Sequence, residues 1–298
     1  MFSRRKQTTT NPVSPEEAIL GKLGTMSVRL ARTASEIRAA QSLRYTVFYR
    51  EMAAKADVIT SFQRRDTDRW DAICDHLIVT DEVNGREKLV GTYRLLRAGV
   101  ARARSSAFYT QSEFDIAPLL ARHDTLEFLE LGRSCILEEW RNKRTIELLW
   151  AGTWAYVLRH GIDVMFGCAS LNGSDSQRHA DKLAFLRDNA APPADWDVRA
   201  IPGRAAKVTF DELSTVSPRR ALSSLPPLIK GYLRLGAWIG RDAVIDQRFN
   251  TTDVLIILPV ERLNPRYVNY YGADAGRHSA KAPMAQVKAG FATRREMR

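Results

Sequence analysis

Cysteine is scarce: Cys74, Cys135 and Cys168 are the only three in 298 residues. An odd number with no metal-like spacing argues against both a disulfide framework and a zinc site, and fits a reducing compartment. No apolar run is long and unbroken enough to cross a bilayer. The opening stretch "SRRKQTTTNPVSPEE" is polar where a secretory signal needs an apolar core. The chain is therefore expected in the cytoplasm, soluble or peripheral on the inner membrane. No internal repeat is visible, which argues against solenoids and propellers. Nor does any pair of strand-like segments interleave aromatic with basic residues, so nucleic acid is not an expected partner.

What is present suffices for a large core. With 45% hydrophobic and 9% aromatic residues, the chain is too apolar to be disordered throughout. A net charge of +11 suggests an anionic partner, but its distribution matters more than its size. Residues 1–24 hold Arg4, Arg5, Lys6 and Lys22 against Glu16 and Glu17, and residues 277–298 hold six basic residues against Glu296. The ends thus carry +2 and +5, leaving +4 on the body. The sequence predicts a basic arm over 1–24, a body over 25–272 with a distal helix–strand extension over 203–272, and a basic tail over 273–298.

Within the body, Thr33 and Glu36 predict a capping box ahead of a helix whose apolar face holds Ile37, Ala40, Leu43, Val47 and Phe48. Residues 55–75 read as irregular. Asn84-Gly85 between two β-rich runs predicts a tight hairpin. Residues 100–122 read as a connection around "SEFDIAPLL". A strand over 126–137, a helix over 144–160, a strand at "GIDVMFGCASL" and a helix over 175–187 follow. Then come an apolar helix around "LIKGYLRLGAWI", taking in Trp238 and Ile239, and a last strand "DVLIILPV". This order predicts an α/β fold of the mixed α+β kind, one mixed sheet covered by helices.

The stretch "LELGRSCILEEWRNKRTIELLW", residues 129–150, carries the chemistry. Strand alternation puts Phe128, Glu130 and Gly132 on one face and Arg133 and Cys135 on the other. A bulge at Gly132 would shift the register, re-aim Arg133 and free a backbone N–H for an oxyanion. A structural Glu130–Arg133 ion pair explains the same residues; it would lower the Glu130 pKa, whereas a working base should sit higher. The basic turn then leads into a periodic helix, and helix N-termini bind phosphate. A thioester donor with a phosphopantetheine arm would set its phosphate at Arg141, Lys143, Arg144 and Thr145, and its carbonyl beside the bulge.

Strand, bulge, basic turn and helix together resemble the GNAT N-acyltransferase superfamily, whose phosphate turn reads Arg/Gln-x-x-Gly-x-Gly/Ala. Here Arg144 and Ile146 stand in the glycine positions, which suits a single carrier-protein phosphate better than coenzyme A. Arg44 with Phe48, Asp71 with Asp75, Arg94, Phe114, and Glu130 with Arg133 follow the order shared by acyl-homoserine-lactone synthases and ornithine lipid synthases. Glu127 adds the further carboxylate of some members. The long distal section "LPPLIKGYLRLGAWIGRDAVIDQRFNTTDVLIILPVERL" looks like that of the ornithine lipid synthases, the L-ornithine N(alpha)-acyltransferases.

That resemblance implies a GNAT fold, a central mixed sheet with a bulged strand and helices on both faces. It implies transfer of a 3-hydroxy fatty acyl group from acyl carrier protein to the α-amine of L-ornithine, giving lyso-ornithine lipid. No cofactor would be permanently bound, the phosphopantetheine of the carrier being the donor arm, and no metal is implied. Glu130, with Glu127 second, would be the base, next to Arg133. Arg94 or Arg133 would hold the ornithine carboxylate, and Asp71 or Asp75 its δ-ammonium. Arg44 would either touch substrate or hold the pocket wall with Asp75, while Phe48 and Phe114 would line an acyl tunnel. An acidic carrier protein would dock on Arg141, Lys143 and Arg144. The distal helix would pack on the sheet or rest on an anionic membrane surface. His76 and Cys135 read as structural. Two rival readings are a lactone synthase using S-adenosylmethionine and a non-catalytic GNAT-like module that binds membrane through its tails.

Overall fold

Thr33 and Glu36 form the reciprocal cap expected of them: Thr33 Oγ1 accepts the Glu36 N–H, and the Glu36 carboxylate accepts the Thr33 N–H. Helix α1 (Ala34–Tyr45) follows and widens into a π-helical turn over Thr46–Glu51. It buries Ala40, Leu43 and Val47. The computed structural model describes residues 19–210 and 217–263, so the expected tail and residues 1–18 of the expected arm lie outside the described residues. Residues 19–24 are not part of an arm. Strand β1 (Ile19–Leu23) turns at Gly24, which has φ +66°, and pairs antiparallel with β2 (Met26–Leu30). Leu20 and Met26 are buried, and that apolar gain holds the pair on the sheet.

The segment 55–75 is more ordered than expected, with a short helix α2 (Val58–Gln63) capped by Asp57. Strands β3 (Asp75–Val83) and β4 (Arg86–Arg97) form the predicted hairpin. Asn84 and Gly85 take φ +53° and +72°, the left-handed pair that a two-residue turn of this hand requires. Helices α3 (Ala98–Ala103) and α4 (Ala117–Arg122) lead to β5 (Phe128–Ile136), α5 (Lys143–His160) and β6 (Val164–Asn172). Helices α6 (Ala180–Ala190), α7 (Pro218–Ser224) and α8 (Pro227–Leu235) precede β7 (Trp238–Asp246) and β8 (Thr251–Pro259). Gly236, at φ +97°, stops α8, so Trp238 and Ile239 belong to a strand and not to the helix.

The strands form one sheet in the order β1-β2-β3-β4-β5-β6-β8-β7, with β5 and β6 the parallel pair. Helices α5 and α8 share one apolar layer with the inner face of β1–β4. A second layer on the opposite face joins α3 and α4 to Leu96, Phe128 and Phe166, while Leu43 and Val47 of the α1 segment meet Cys135 there.

Two irregularities in β5 shape the centre. Against β4, Thr92 is opposite Cys135 and Arg94 opposite Gly132, so β5 advances one residue further than its partner. The bulge is therefore present, but Arg133, at φ +54°, takes the left-handed conformation in place of Gly132. Against β6, pairing ends with Glu130 opposite Phe166, after which β5 follows β4 and β6 follows β8. The sheet splays open from that point. Gly167 sits in the fork, where an added Cβ would stand 2.2 Å from the Leu131 carbonyl oxygen.

Candidate active site

The splay opens into a cavity of about 1140 Å³. Its lining includes Tyr93, Leu131, Leu149 and Leu235 from the α5 side of the sheet, and Leu96 and Cys168 from the other. The cavity thus passes through the sheet between β5 and β6. Tyr93 and Tyr232 touch through their hydroxyls and tie β4 to α8 at its wall.

On the face away from α5, Glu130 is 5% exposed and lines the cavity. Its carboxylate accepts the N–H of Thr110 at 2.7 Å and of Tyr109 at 3.1 Å. Burial pushes its pKa up, against the lowering effect of those two N–H groups. Glu130 does not pair with Arg133. The bulge turns Arg133 instead over the rings of Tyr109 at 4.7 Å and Phe249 at 4.4 Å, with Asp66 at 3.2 Å and Asp68 at 3.4 Å.

Arg133 is one member of a buried ion-pair lattice. Arg44, fully buried, binds Asp66 at 2.9 Å and Asp71 at 2.8 Å, and Arg94 binds Asp68 at 2.6 Å and Asp71 at 3.1 Å. Arg248 adds a fourth guanidinium 3.7 Å from Asp66. The two arginines beside Asp71 hold its carboxyl far below the ordinary range despite burial. His76 Nε2–H donates to the Asp71 carbonyl at 3.0 Å, and burial lowers its pKa, in keeping with a structural role. Four guanidiniums against three carboxylates leave this wall formally positive.

The lattice corrects several expectations. Arg44 pairs with Asp66 and Asp71 rather than Asp75, and does not line the cavity. Asp71 is bound to arginines on both sides and is in no position to hold an ammonium. Asp75 accepts the Tyr156 hydroxyl at 2.6 Å, and Glu127 accepts the Gly99 N–H at 3.1 Å; both lie outside the cavity. Phe114 is fully buried in the core, whereas Phe48 does line the cavity beside Val47 and Met52. Burial pushes the thiols of Cys135 and Cys168 up, so neither supplies a thiolate for an acyl-enzyme.

At the α5 mouth, Asn142 caps the helix by accepting the Thr145 N–H, and the first-turn amides of Lys143 and Arg144 have no carbonyl partner within the helix. Arg141, paired with Glu51, and Lys143 line this mouth together with Lys230 and Arg234 of α8. Arg144 does not; its guanidinium lies beside Gly24 at the β1–β2 turn, where its charge helps lower the pKa of Asp81 on β3. Thr145 is buried beneath the turn, with its hydroxyl toward Met26. The α8 face of Ile229, Tyr232 and Leu235 is buried on the sheet, which accounts for its apolar pattern by packing.

Sequence reasoning missed Asp66, Asp68 and Arg248, and also a buried carboxyl group of Glu113, Asp246 and Asp253; Lys230 and Arg234 stand out in the sequence only as cations of the distal helix that could meet anionic headgroups, whereas the structure sets them in the cavity lining. The run "RRDTDRWDAICD" did signal a local excess of carboxylates, and Asp253 stands out at the head of an apolar strand. Their partners come from distant segments and could not be read from either stretch.

A family model for the acetyltransferase (GNAT) domain matches residues 43–151, from α1 through the bulged strand into α5. An L-ornithine N(alpha)-acyltransferase of Rhizobium meliloti is 52% identical over 270 residues, 90% of this chain and 91% of that protein. The chain belongs to the L-ornithine N(alpha)-acyltransferase family. Members from Brucella abortus and Rhodobacter capsulatus are 50% and 37% identical, over 87% and 82% of this chain and 93% of each of those proteins. As a member of that family with a GNAT domain, the protein is an acyltransferase. Among the described residues no helix is long and apolar enough to cross a membrane.

Proposed function

We propose that the protein moves a 3-hydroxyacyl group from the thioester of acyl carrier protein to the α-amine of L-ornithine, giving lyso-ornithine lipid. The observation that carries this reading is the cavity that crosses the sheet at the splay, cationic at the α5 mouth and carrying carboxylates on the far side. The relatives' shared name supplies the acceptor. The phosphopantetheine phosphate is held by Lys143, Lys230, Arg234 and the first-turn amides of α5, with Arg141 fixed beside them by Glu51. The arm runs between β5 and β6 and brings the thioester carbonyl to the bulge.

Ornithine enters from the opposite face, its carboxylate against the formally positive wall at Arg133. Its α-ammonium gives up a proton to Glu130, whose raised pKa makes it the better acceptor. The free amine adds to the carbonyl and a backbone N–H at the bulge steadies the oxyanion; collapse expels the pantetheine thiolate, the adduct nitrogen gives up its second proton to that sulfur, and Glu130 returns the first proton to solvent. The acyl chain lies along Val47, Phe48 and Met52. A surface for anionic membrane, which a lipid-making enzyme would use, belongs to the same reading.

The test is to incubate the purified protein with 3-hydroxyacyl carrier protein and ornithine and identify the product by mass. An Nα-acyl ornithine and one free carrier thiol per amide are expected. Glu130→Gln should lower kcat about 10²–10⁴-fold with KM for ornithine little changed. Absence of the amide, or full activity in Glu130→Gln, overturns the assignment.

A further inference from the structure

Glu113, Asp246 and Asp253 bring carboxylate oxygens within 4.8 Å of one another. They are 1%, 8% and 5% exposed, and Asp246 and Asp253 line the cavity on the Glu130 side of the sheet. Among the described residues, no Lys, Arg or His forms an ion pair with any of the three: Arg204 acts on Glu113 only at longer range, and the nearby Arg133 and Arg248 are paired with Asp66. Glu113 Oε2 and Asp253 Oδ1 are buried with no hydrogen-bond partner. Burying carboxylates without partners is costly. Burial, and after it the charge of Asp253, push Glu113 up to about 8, and burial pushes Asp253 up to about 6. The group is short of a cation.

The chemistry of the oxygens narrows the cation. Asp246 Oδ1 already accepts the N–H of Arg248 at 2.7 Å and of Phe249 at 3.0 Å, and its Oδ2 accepts the Tyr109 hydroxyl at 3.3 Å. That leaves chiefly one oxygen each on Glu113 and Asp253, so a divalent ion here would have to keep most of its about six oxygens as water. An alkylammonium, with three N–H donors and a single charge, matches two unpartnered oxygens and a shared third. Tyr109 provides the ruler. Its N–H is bound to Glu130 and its hydroxyl to Asp246, so one tyrosine length separates the proposed base from this group. The extended side chain of a diamino acid covers a comparable span.

We infer that Glu113, Asp246 and Asp253 form the subsite for the side-chain ammonium of the acceptor, and so select a diamino acid over one with an apolar side chain. This inference rests on the proposed function. It replaces Asp71 and Asp75, which are engaged elsewhere, as the anionic end of the acceptor site.

The experiment compares ornithine with norvaline, the same amino acid without the δ-amine, using 3-hydroxyacyl carrier protein as donor. The wild type should favour ornithine in kcat/KM by about 10³-fold or more, because norvaline leaves the carboxylates unpaired. In Asp253→Asn and Glu113→Gln that ratio should fall below about 10, through loss of ornithine turnover. Both variants should also melt about 2–4 °C or more above the wild type at pH 8 without ornithine, since an unpaired buried charge is removed. A ratio that survives in both variants, or a wild type indifferent to the δ-amine, overturns the inference. So does activity lost to a chelator and restored by a divalent ion in the wild type only, which would give the group to a metal. Failure of the wild type to acylate ornithine at all defeats the proposed function, and the subsite with it, and is read before any variant is made.

Discussion

At Gly132 and Arg133 the usual division of labour is reversed, because the bulky residue adopts the left-handed conformation and the glycine does not. Such a strained arginine persists only where its surroundings fix it, and here two aromatic rings and two aspartates do so. Gly132 has a different use: a Cβ placed there meets no atom within 4 Å, so its bareness keeps the cavity clear. Gly132→Leu should therefore change stability by less than about 0.5 kcal/mol while cutting acyl transfer at least about tenfold. Thermal melting and turnover on the same preparation check both halves. The carboxyls of Glu113 and Asp253 make a second residue-scale prediction. Their folded pKa values are raised, so they favour folding at low pH, and that contribution is lost as pH rises from about 4 through 6 and 8. The melting-temperature advantage of Glu113→Gln over the wild type should accordingly grow between pH 5 and pH 8, and ornithine should shrink it. At this scale the sequence was legible where chemistry is local: Glu130 and Arg133 were identifiable, but not that Arg133 answers to Asp66 and Asp68 instead of Glu130. Those contacts join residues 65 or more positions apart, and no window of sequence contains them.

Among the elements, the capped start of α1 and the Asn84-Gly85 hairpin were readable because each depends on contacts within three residues. Strand β1 was not, since its few apolar residues acquire meaning only against β2 and α5. The same limit let α8 run on through Trp238, where only Gly236 marked the stop. The fork between β5 and β6 is a tertiary feature held by one close approach, Gly167 against Leu131. Gly167→Ala should force the strands apart and destabilise the fold by about 1–3 kcal/mol. Denaturant unfolding measures that cost, and a wild-type midpoint would show that the fork does not need the glycine. The turn before α5 separates two adjacent cations by direction. Lys143→Ala should raise KM for the carrier protein several-fold, more at low salt than at high, whereas Arg144→Ala should leave it within about twofold. Equal effects would mean that both reach the donor.

For the molecule as a whole, the charge that first suggests a polyanion is better understood as an arrangement of opposites across one sheet. Cations stand at the α5 mouth, and uncompensated carboxylates stand on the far side. The family and sheet architecture were legible from the order of motifs along the chain. The route through the sheet was not, because it depends on where two strands stop pairing. The proposed direct attack in a shared chamber, where burial pushes up all three cavity thiols, Cys74, Cys135 and Cys168, predicts a ternary complex. Initial-rate plots at several fixed ornithine concentrations should intersect, and parallel lines would point to a covalent acyl-enzyme instead.

An opening reached from both sides also gives each substrate a separate door. On the proposed function, a spent carrier could withdraw while the acylated amino acid still occupies its own entrance, and a fresh amino acid would not wait for a carrier to arrive. Deacylated carrier protein should then compete with its loaded form but not with the amino acid, and the acylated amino acid should compete with the free amino acid but not with the loaded carrier.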